Sequence, residues 1–173
     1  MNNPAGEQKR IGTGMFVLGW IAFMLLLGAW FNELLDRQRN PNQSLNTTFT
    51  DGAREVILQR NRLGHYVTTG MINGSEVVFM LDTGATTIAI PTAVAAELDL
   101  PLGQRFQTQT ANGIANAYAT RLDSVSVGGI ELNNVSAAVS PGLQTREILL
   151  GMSFLSAIEF TQRGDTLILR QYP

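Results

Sequence analysis

Two hydrophobic patterns divide the chain into an uncharged amino-terminal stretch and a longer region of short apolar runs. Residues 11–31 contain no charged side chain. As a helix, these 21 residues would span roughly 31 Å at 1.5 Å per residue. The hydrocarbon core of a bilayer is about 30 Å thick. The pattern therefore predicts a transmembrane helix over residues 11–35, preceded by a short tail at residues 1–10.

A cleaved signal peptide is the alternative interpretation of this stretch. Its apolar region would be shorter, about 7–15 residues, and would end at a cleavage site with small residues two positions apart. The sequence Leu27-Gly28-Ala29 matches such a site poorly. We therefore expect an uncleaved membrane anchor.

The residues that flank the apolar stretch bear on its orientation in the membrane. Two basic residues lie on each side, so the number of Lys and Arg residues does not determine the orientation. The short tail favours a cytoplasmic amino terminus, which would place the rest of the chain outside the cytoplasm.

Residues 36–54 are polar and rich in Asn and Thr. Such a composition cannot bury enough apolar surface to order itself, so we expect a flexible linker there.

Beyond the linker, short apolar runs alternate with turn signals. Asn73-Gly74 and Gly128-Gly129 are favoured hairpin turns. Pro91 suits the first turn of a short helix, and a second short helix is expected over residues 152–157. Many short strands with one or two small helices predict an all-β domain over residues 55–173 that closes into a barrel.

Composition excludes several kinds of chemistry. The 173 residues include no cysteine and a single histidine, His65, which excludes thiol catalysis, zinc–thiolate sites and a multi-histidine metal site within one chain. A net charge of −2 gives no electrostatic reason to expect nucleic-acid binding. The sequence contains no nucleophile elbow and no P-loop. We expect no cofactor, no metal and no nucleic-acid partner.

One acidic residue stands out because it follows directly after an apolar strand. Residues 77–81 are apolar, and Asp82-Thr83-Gly84-Ala85 separates them from a second apolar run. A carboxylate is costly to hold beside apolar strands unless something binds it or uses it. The Asp-Thr-Gly tripeptide occurs once in the chain. The pattern therefore indicates a functional acid at Asp82.

Together with a later segment, this motif resembles the active-site region of the retropepsin-like aspartic proteases. In that family hydrophobic residues precede Asp-Thr-Gly-Ala, and a hydrophobic-Gly segment followed by a short helix underlies the catalytic loop. Leu149-Leu150-Gly151 matches that segment here. The resemblance covers about residues 55–173. With the amino-terminal anchor included, the chain is similar to the bacterial membrane-anchored members, and the implied fold is a closed β-barrel domain.

The resemblance implies a role for each residue of the motif. Asp82 would be the catalytic residue, and Thr83 would hydrogen-bond across a two-fold axis. Gly84 would support the loop through its backbone, and Ala85 is small enough for the crowding near the axis. A hairpin flap would close over substrate. Its expected tip consists of Ala111, Asn112, Gly113 and Ile114.

The chain departs from the retroviral pattern after Gly151. The next residues are Met152-Ser153-Phe154, where retroviral enzymes carry an Arg followed by Asn or Asp. The closing segment, residues 158–170, is expected to replace part of the interface between two subunits.

A single motif per chain implies a homodimer in which each copy supplies one Asp82. The expected function is hydrolysis of peptide bonds in polypeptide substrates by a membrane-anchored aspartic endopeptidase. Residues 11–31 would hold it in the bacterial inner membrane, with the catalytic domain on the periplasmic side. The alternative is a catalytically inactive, protease-like module that binds peptides or scaffolds a membrane complex. The intact Asp82 motif favours the enzyme.

Overall fold

The computed structural model describes residues 4–110 and 113–173, and the chain divides into two units after Gln38. The first unit is helix α1, which begins at Pro4 and ends at Arg39, at the unit boundary. Within it, Gly14–Arg39 is long and apolar enough to cross a membrane, by length and composition. Among the described residues this is the one helix with that property.

The second unit, Arg39–Pro173, is built almost entirely from strands. Its strands and short helices, in chain order, are β1 (Thr47–Thr50), β2 (Ala53–Gln59), β3 (Val67–Ile72), β4 (Ser75–Leu81), β5 (Ile88–Pro91), α2 (Thr92–Glu97), β6 (Arg105–Thr110), β7 (Gly113–Val127), β8 (Ile130–Ser140), β9 (Ile148–Leu150), α3 (Met152–Leu155), β10 (Glu159–Arg163) and β11 (Thr166–Gln171).

Seven of these strands form a sheet that closes on itself. Its order is β3-β4-β9-β5-β8-β7-β6, and β3 pairs again with β7, where Met71 lies opposite Ser126 and Ile72 lies opposite Val125. The second pairing closes a ring of β3, β4, β9, β5, β8 and β7, which leaves those strands without a free edge. The closed all-β barrel predicted from the sequence is therefore confirmed, together with its two small helices.

Alternating apolar positions along the strands face a common core. In β4, for example, Val77 and Phe79 are buried whereas Val78 between them is exposed. Leu58 of β2 and Leu169 of β11 belong to the same core cluster as the barrel residues, so the two sheets of this unit share one core. Large-to-small changes here are costly: Phe79→Ala would remove about 3–5 kcal/mol of stability.

The predicted hairpin turns are present. Asn73 and Gly74 both have positive φ, at 50° and 80°, as the tight turn between β3 and β4 requires. Gly128 has φ 57° at the turn between β7 and β8. The next residue, Gly129, donates its backbone N–H to the hydroxyl of Thr47 at 2.7 Å. This bond ties the β7–β8 turn to strand β1.

The remaining strands form a four-stranded sheet of order β1-β2-β11-β10. The closing residues 158–170 therefore pair within the chain, as the antiparallel β10–β11 hairpin. On one face of the sheet, Arg170 Nε donates to Glu55 Oε2 at 2.7 Å. This hydrogen bond raises the pKa of Arg170 above its ordinary value.

The structure corrects the flexible linker expected over residues 36–54. Helix α1 continues to Arg39, and residues 47–50 form strand β1. Between them, Asn42 is only 3% exposed. Its Nδ2 donates to the carbonyls of Gln59 and Val67 at 2.9 and 2.7 Å, and its Oδ1 accepts from the Gln59 N–H at 2.7 Å.

Polar composition misled the prediction because an amide side chain can be buried once its donors and acceptor are all satisfied. Asn40 is buried as well, and its side chain donates to the Thr69 hydroxyl at 3.1 Å. The Thr69 N–H in turn bonds to the Asn42 carbonyl at 3.2 Å. The second unit thus begins at Arg39 rather than near residue 55.

Candidate active site

Asp82 lies just beyond the end of β4, where the chain leaves the barrel wall. Its backbone N–H donates to the carbonyl of Leu150 in β9 at 3.2 Å. This bond extends the parallel β4–β9 pairing by one residue, because Leu81 lies opposite Leu150. The Asp82 side chain is half-buried, and Thr83 next to it is exposed. The strand therefore delivers one carboxylate to an accessible position.

A tight turn orients the Asp82 carboxylate. The Gly84 N–H donates to Asp82 Oδ1 at 2.8 Å, and the Ala85 N–H donates to the Asp82 carbonyl at 3.2 Å. A Cβ atom at position 84 would lie 3.1 Å from Asp82 Oδ1, tighter than ordinary van der Waals contact. Glycine at this position lets the backbone amide approach the carboxylate closely.

The Leu149-Leu150-Gly151 segment lies directly against this turn. Met152 N–H donates to the Ala85 carbonyl at 2.8 Å. A Cβ atom at Gly151 would lie 2.6 Å from the same carbonyl oxygen and 2.3 Å from that of Thr87. Both distances are shorter than any non-bonded contact that carbon and oxygen tolerate, so only glycine fits. The structure therefore brings the two predicted motifs together, although they lie about 65 residues apart in sequence.

Ser153 is a further residue of this assembly that the sequence analysis did not assign. Its hydroxyl accepts the Ile88 N–H at 3.0 Å. This bond anchors the first residue of β5, immediately after the Asp82 loop, to helix α3. A serine in the first turn of a predicted short helix is a local signal for a hydrogen bond to backbone, but it does not identify Ile88, which lies 65 positions earlier in the sequence. Phe154 and Leu155, the next residues of α3, are buried in the core.

The predicted flap is a hairpin formed by β6 and β7. Of its expected tip, Ala111 and Asn112 lie outside the described residues. Gly113 has φ 104°, and the Ile114 side chain is 71% exposed. The structure describes the strands of this hairpin. That the hairpin closes over substrate at the Asp82 loop stays a prediction.

The two faces of this hairpin differ in character. The register pairs Phe106 with Ala117 and Thr108 with Ala115, so these side chains share one face. Alternate residues on the other face are mainly polar, for example Gln107. One face of the hairpin therefore carries apolar or small residues, and the other carries mainly polar ones.

The site is built from carboxylate and backbone groups. Within residues 4–110 and 113–173, no group of three or more His, Asp or Glu side chains could hold a metal ion. The chemistry that the described residues offer is proton transfer at Asp82 and hydrogen bonding from the surrounding amides.

Comparisons with known proteins agree with this geometry. Residues 68–157 match the sequence profile of the family described as "gag-polyprotein putative aspartyl protease". The matched range contains both the Asp82 turn and the Gly151 segment. Since it covers more than half of the chain, it is sufficient to assign the family.

A solved structure extends the likeness to the fold. The crystal structure of a retropepsin-like aspartic protease from Rickettsia conorii is similar, with 33% sequence identity and a TM-score of 0.57. The alignment covers 75% of this chain and 95% of that one.

Two curated bacterial proteins are also similar in sequence. An uncharacterised protein of a Sinorhizobium species is 37% identical over 134 residues, and an uncharacterised protein of Rickettsia prowazekii is 37% identical over 120 residues. The alignments cover 75% and 66% of this chain but only 58% and 51% of those proteins. The chain thus spans about half the length of these relatives. From its profile match, its fold and the geometry around Asp82, the chain belongs to the retropepsin-like aspartic proteases.

Proposed function

We propose that this chain is a membrane-anchored aspartic endopeptidase whose active centre forms when two copies each contribute Asp82. The observation that carries the proposal is the half-buried Asp82 carboxylate, held by the Gly84 amide on a loop supported by Gly151. The chain has a single Asp-Thr-Gly motif. A second carboxylate of the same kind must therefore come from a second copy, across a two-fold axis.

Two carboxylates at such an axis supply both an acid and a base. Bringing them within about 3 Å disfavours ionisation of both, so one proton is shared by the pair. The ionised carboxylate takes a proton from the attacking water. The protonated one donates to the carbonyl oxygen of the peptide bond, which gives a tetrahedral intermediate. The carboxyl group that took the proton from water then donates it to the departing nitrogen as the C–N bond breaks, and the other carboxylate takes its own proton back from a hydroxyl group of the intermediate.

Neighbouring residues fit this arrangement. Thr83 is exposed beside the carboxylate and can hydrogen-bond to the partner loop. Gly84 and Ala85 carry little or no side chain that would obstruct a second loop. The β6–β7 hairpin, with the predicted tip at residues 111–114, would close over the bound polypeptide and exclude water from the dyad. The reaction needs no metal and no organic cofactor.

The membrane placement rests on helix α1. Its segment Gly14–Arg39 has the length and composition of a membrane span, and the similar proteins come from bacteria. We therefore propose a single-pass protein of the bacterial inner membrane, with residues 11–31 in the bilayer and the second unit on the periplasmic side. The second unit, Arg39–Pro173, is the proposed catalytic domain.

The direct test compares wild type with Asp82→Asn on a mixed peptide library, using the full chain in detergent and mass spectrometry of the products. Asp165→Asn serves as the matched control, because its carboxylate is exposed in the β10–β11 turn. We expect cleavage by wild type and by the control, and none by Asp82→Asn. Equal cleavage by all three would show that the cutting does not depend on Asp82. No cleavage by any of them would instead favour a protease-like module that binds peptides without cutting them.

A further inference from the structure

Helix α1 runs directly into the second unit. The helix ends at Arg39, and the second unit begins at the same residue. Within residues 4–110 of the described chain, no residue separates the two. The next residues are held as well, because Asn40 and Asn42 are buried and hydrogen-bonded to β2 and β3. This part of the described chain therefore holds no flexible tether.

Two contacts tie Arg39 to the second unit. The Asn61 side chain donates from Nδ2 to the Arg39 carbonyl at 3.0 Å. The Arg39 guanidinium forms an ion pair with Glu147, with Nη2 and Oε1 2.6 Å apart. The Glu147 side chain is only 12% exposed. Separating a largely buried carboxylate from its partner leaves an uncompensated charge, so this contact is costly to open. Arg39 therefore stays with the unit that carries Asp82.

The path from Arg39 to Asp82 is short. Glu147 directly precedes strand β9, and three residues of an extended strand cover about 10 Å. At the end of β9, the Leu150 carbonyl accepts the Asp82 N–H at 3.2 Å. A compact unit of this length is only about 40 Å across. Asp82 therefore lies within about 40 Å of the residue at which the helix ends.

These lengths limit how far the proposed active centre can stand from the bilayer. Residues 32–39 continue α1 beyond the proposed bilayer segment 11–31, and they add about 12 Å of helix. Together with the size of the unit, this keeps Asp82 within about 50 Å of the hydrocarbon core. The flexible linker expected from composition over residues 36–54 would have extended that reach by up to roughly 60 Å. The active centre therefore operates close to the membrane surface.

We propose that the substrates are polypeptides anchored in the same membrane, cut at a bond within about 50 Å of the bilayer. This inference rests on the proposed function, because it names the substrate class of that active centre. Confining enzyme and substrate to one membrane raises their effective concentration, and the gain is lost where geometry forbids them to meet. A bond close to the bilayer meets both conditions. A bond far from it, or in a free polypeptide, does not.

The test compares three substrates that carry one cleavable sequence, chosen from the peptide-library experiment. The first is the free peptide. The second joins the sequence to a membrane-spanning helix through a short linker, and the third through a rigid helical spacer of about 60 residues, roughly 90 Å long. The full chain and each anchored substrate are reconstituted into the same vesicles. We expect the near site to be cut about tenfold or more faster than the distant site.

A linker variant separates reach from chemistry. About 60 flexible Gly and Ser residues inserted after Gln38 leave every residue of the second unit in place and add a mean span of roughly 40 Å. This variant should cut the distant site nearly as fast as the near one, and the free peptide as fast as wild type does. The matched control carries the same linker after Pro173 and should keep the preference for the near site. Equal cleavage of both sites by wild type, or an unchanged preference in the Gln38 variant, would overturn the inference.

Failure of the proposed function would look different. The chain contains no cysteine, so Ser75→Cys, at an exposed position beside the β3–β4 turn, accepts a single fluorophore. Energy transfer from it to labelled lipids reports its height above the bilayer without any cleavage. Transfer that is strong without the insertion and weak after it, with no peptide cut, would support the placement near the membrane and refute the endopeptidase. Cleavage with equally weak transfer in both chains would refute the placement alone.

Discussion

Replacing Asn42 with alanine should destabilise the second unit strongly. The Asn42 side chain is 3% exposed and makes three hydrogen bonds at 2.7–2.9 Å to the backbones of Gln59 and Val67. Each buried hydrogen bond contributes about 0.5–1.5 kcal/mol, so losing three would cost roughly 3 kcal/mol. Domains of this kind are stable by only about 5–15 kcal/mol. The loss corresponds to a fall in Tm of roughly 10 °C.

The assay is urea and thermal unfolding of the full chain in detergent, followed by circular dichroism of the strand signal. Asn46→Ala is the matched control, because Asn46 is an exposed asparagine in the same polar segment. It should change the free energy of unfolding by less than about 0.5 kcal/mol. If Asn42→Ala changes the free energy of unfolding as little as Asn46→Ala does, residues 40–46 are a flexible linker, and the stabilising role of the buried Asn42 side chain is wrong.

Two further substitutions test other parts of the structure. Gly151→Ala places a Cβ atom 2.3 Å from the Thr87 carbonyl oxygen, so we expect loss of peptide cleavage and a lower Tm. Gly142→Ala is the control, because the space around Gly142 is open. Equal peptide cleavage by the two variants would contradict the close packing of Gly151 against the Asp82 loop. Among the described residues, the buried Tyr66 hydroxyl has no hydrogen-bond partner, so Tyr66→Phe should leave stability unchanged or raise it by about 1 kcal/mol. A clear loss in urea unfolding, relative to exposed Tyr172→Phe, would contradict this.

The features that could be predicted from sequence are those whose signals are local. Asp82, its turn and the strand before it are contiguous, so a single pattern indicates both the element and the chemistry. The Asn73-Gly74 hairpin is equally local, because its turn needs two adjacent residues that tolerate positive φ. The Gly151 segment is predicted from the family resemblance, and the physical need for glycine there is visible only in three dimensions, as close approaches to the carbonyls of Ala85 and Thr87 in the Asp82 loop.

Features that depend on distant partners could not be predicted. Asn42 sits in a polar stretch, and nothing nearby reveals that its amide bonds to residues 17 and 25 positions away. Ser153 likewise depends on Ile88, 65 positions earlier. A closed barrel was predicted, but the particular pairing of β3 with β7 that closes it joins residues more than 50 positions apart and has no local signal. In each case a hydrogen-bonding group can be satisfied by water or by protein, and only the fold decides which.

The central claim is that one active centre needs Asp82 from two copies. The most direct measurement adds increasing Asp82→Asn chain to a fixed amount of wild type under conditions of subunit exchange, and follows the rate of peptide cleavage. With a ninefold excess of Asp82→Asn, cleavage per wild-type chain should fall to about one tenth, because mixed pairs lack the second carboxylate. A rate that does not change with added Asp82→Asn would mean that each copy acts alone, and would contradict the shared centre.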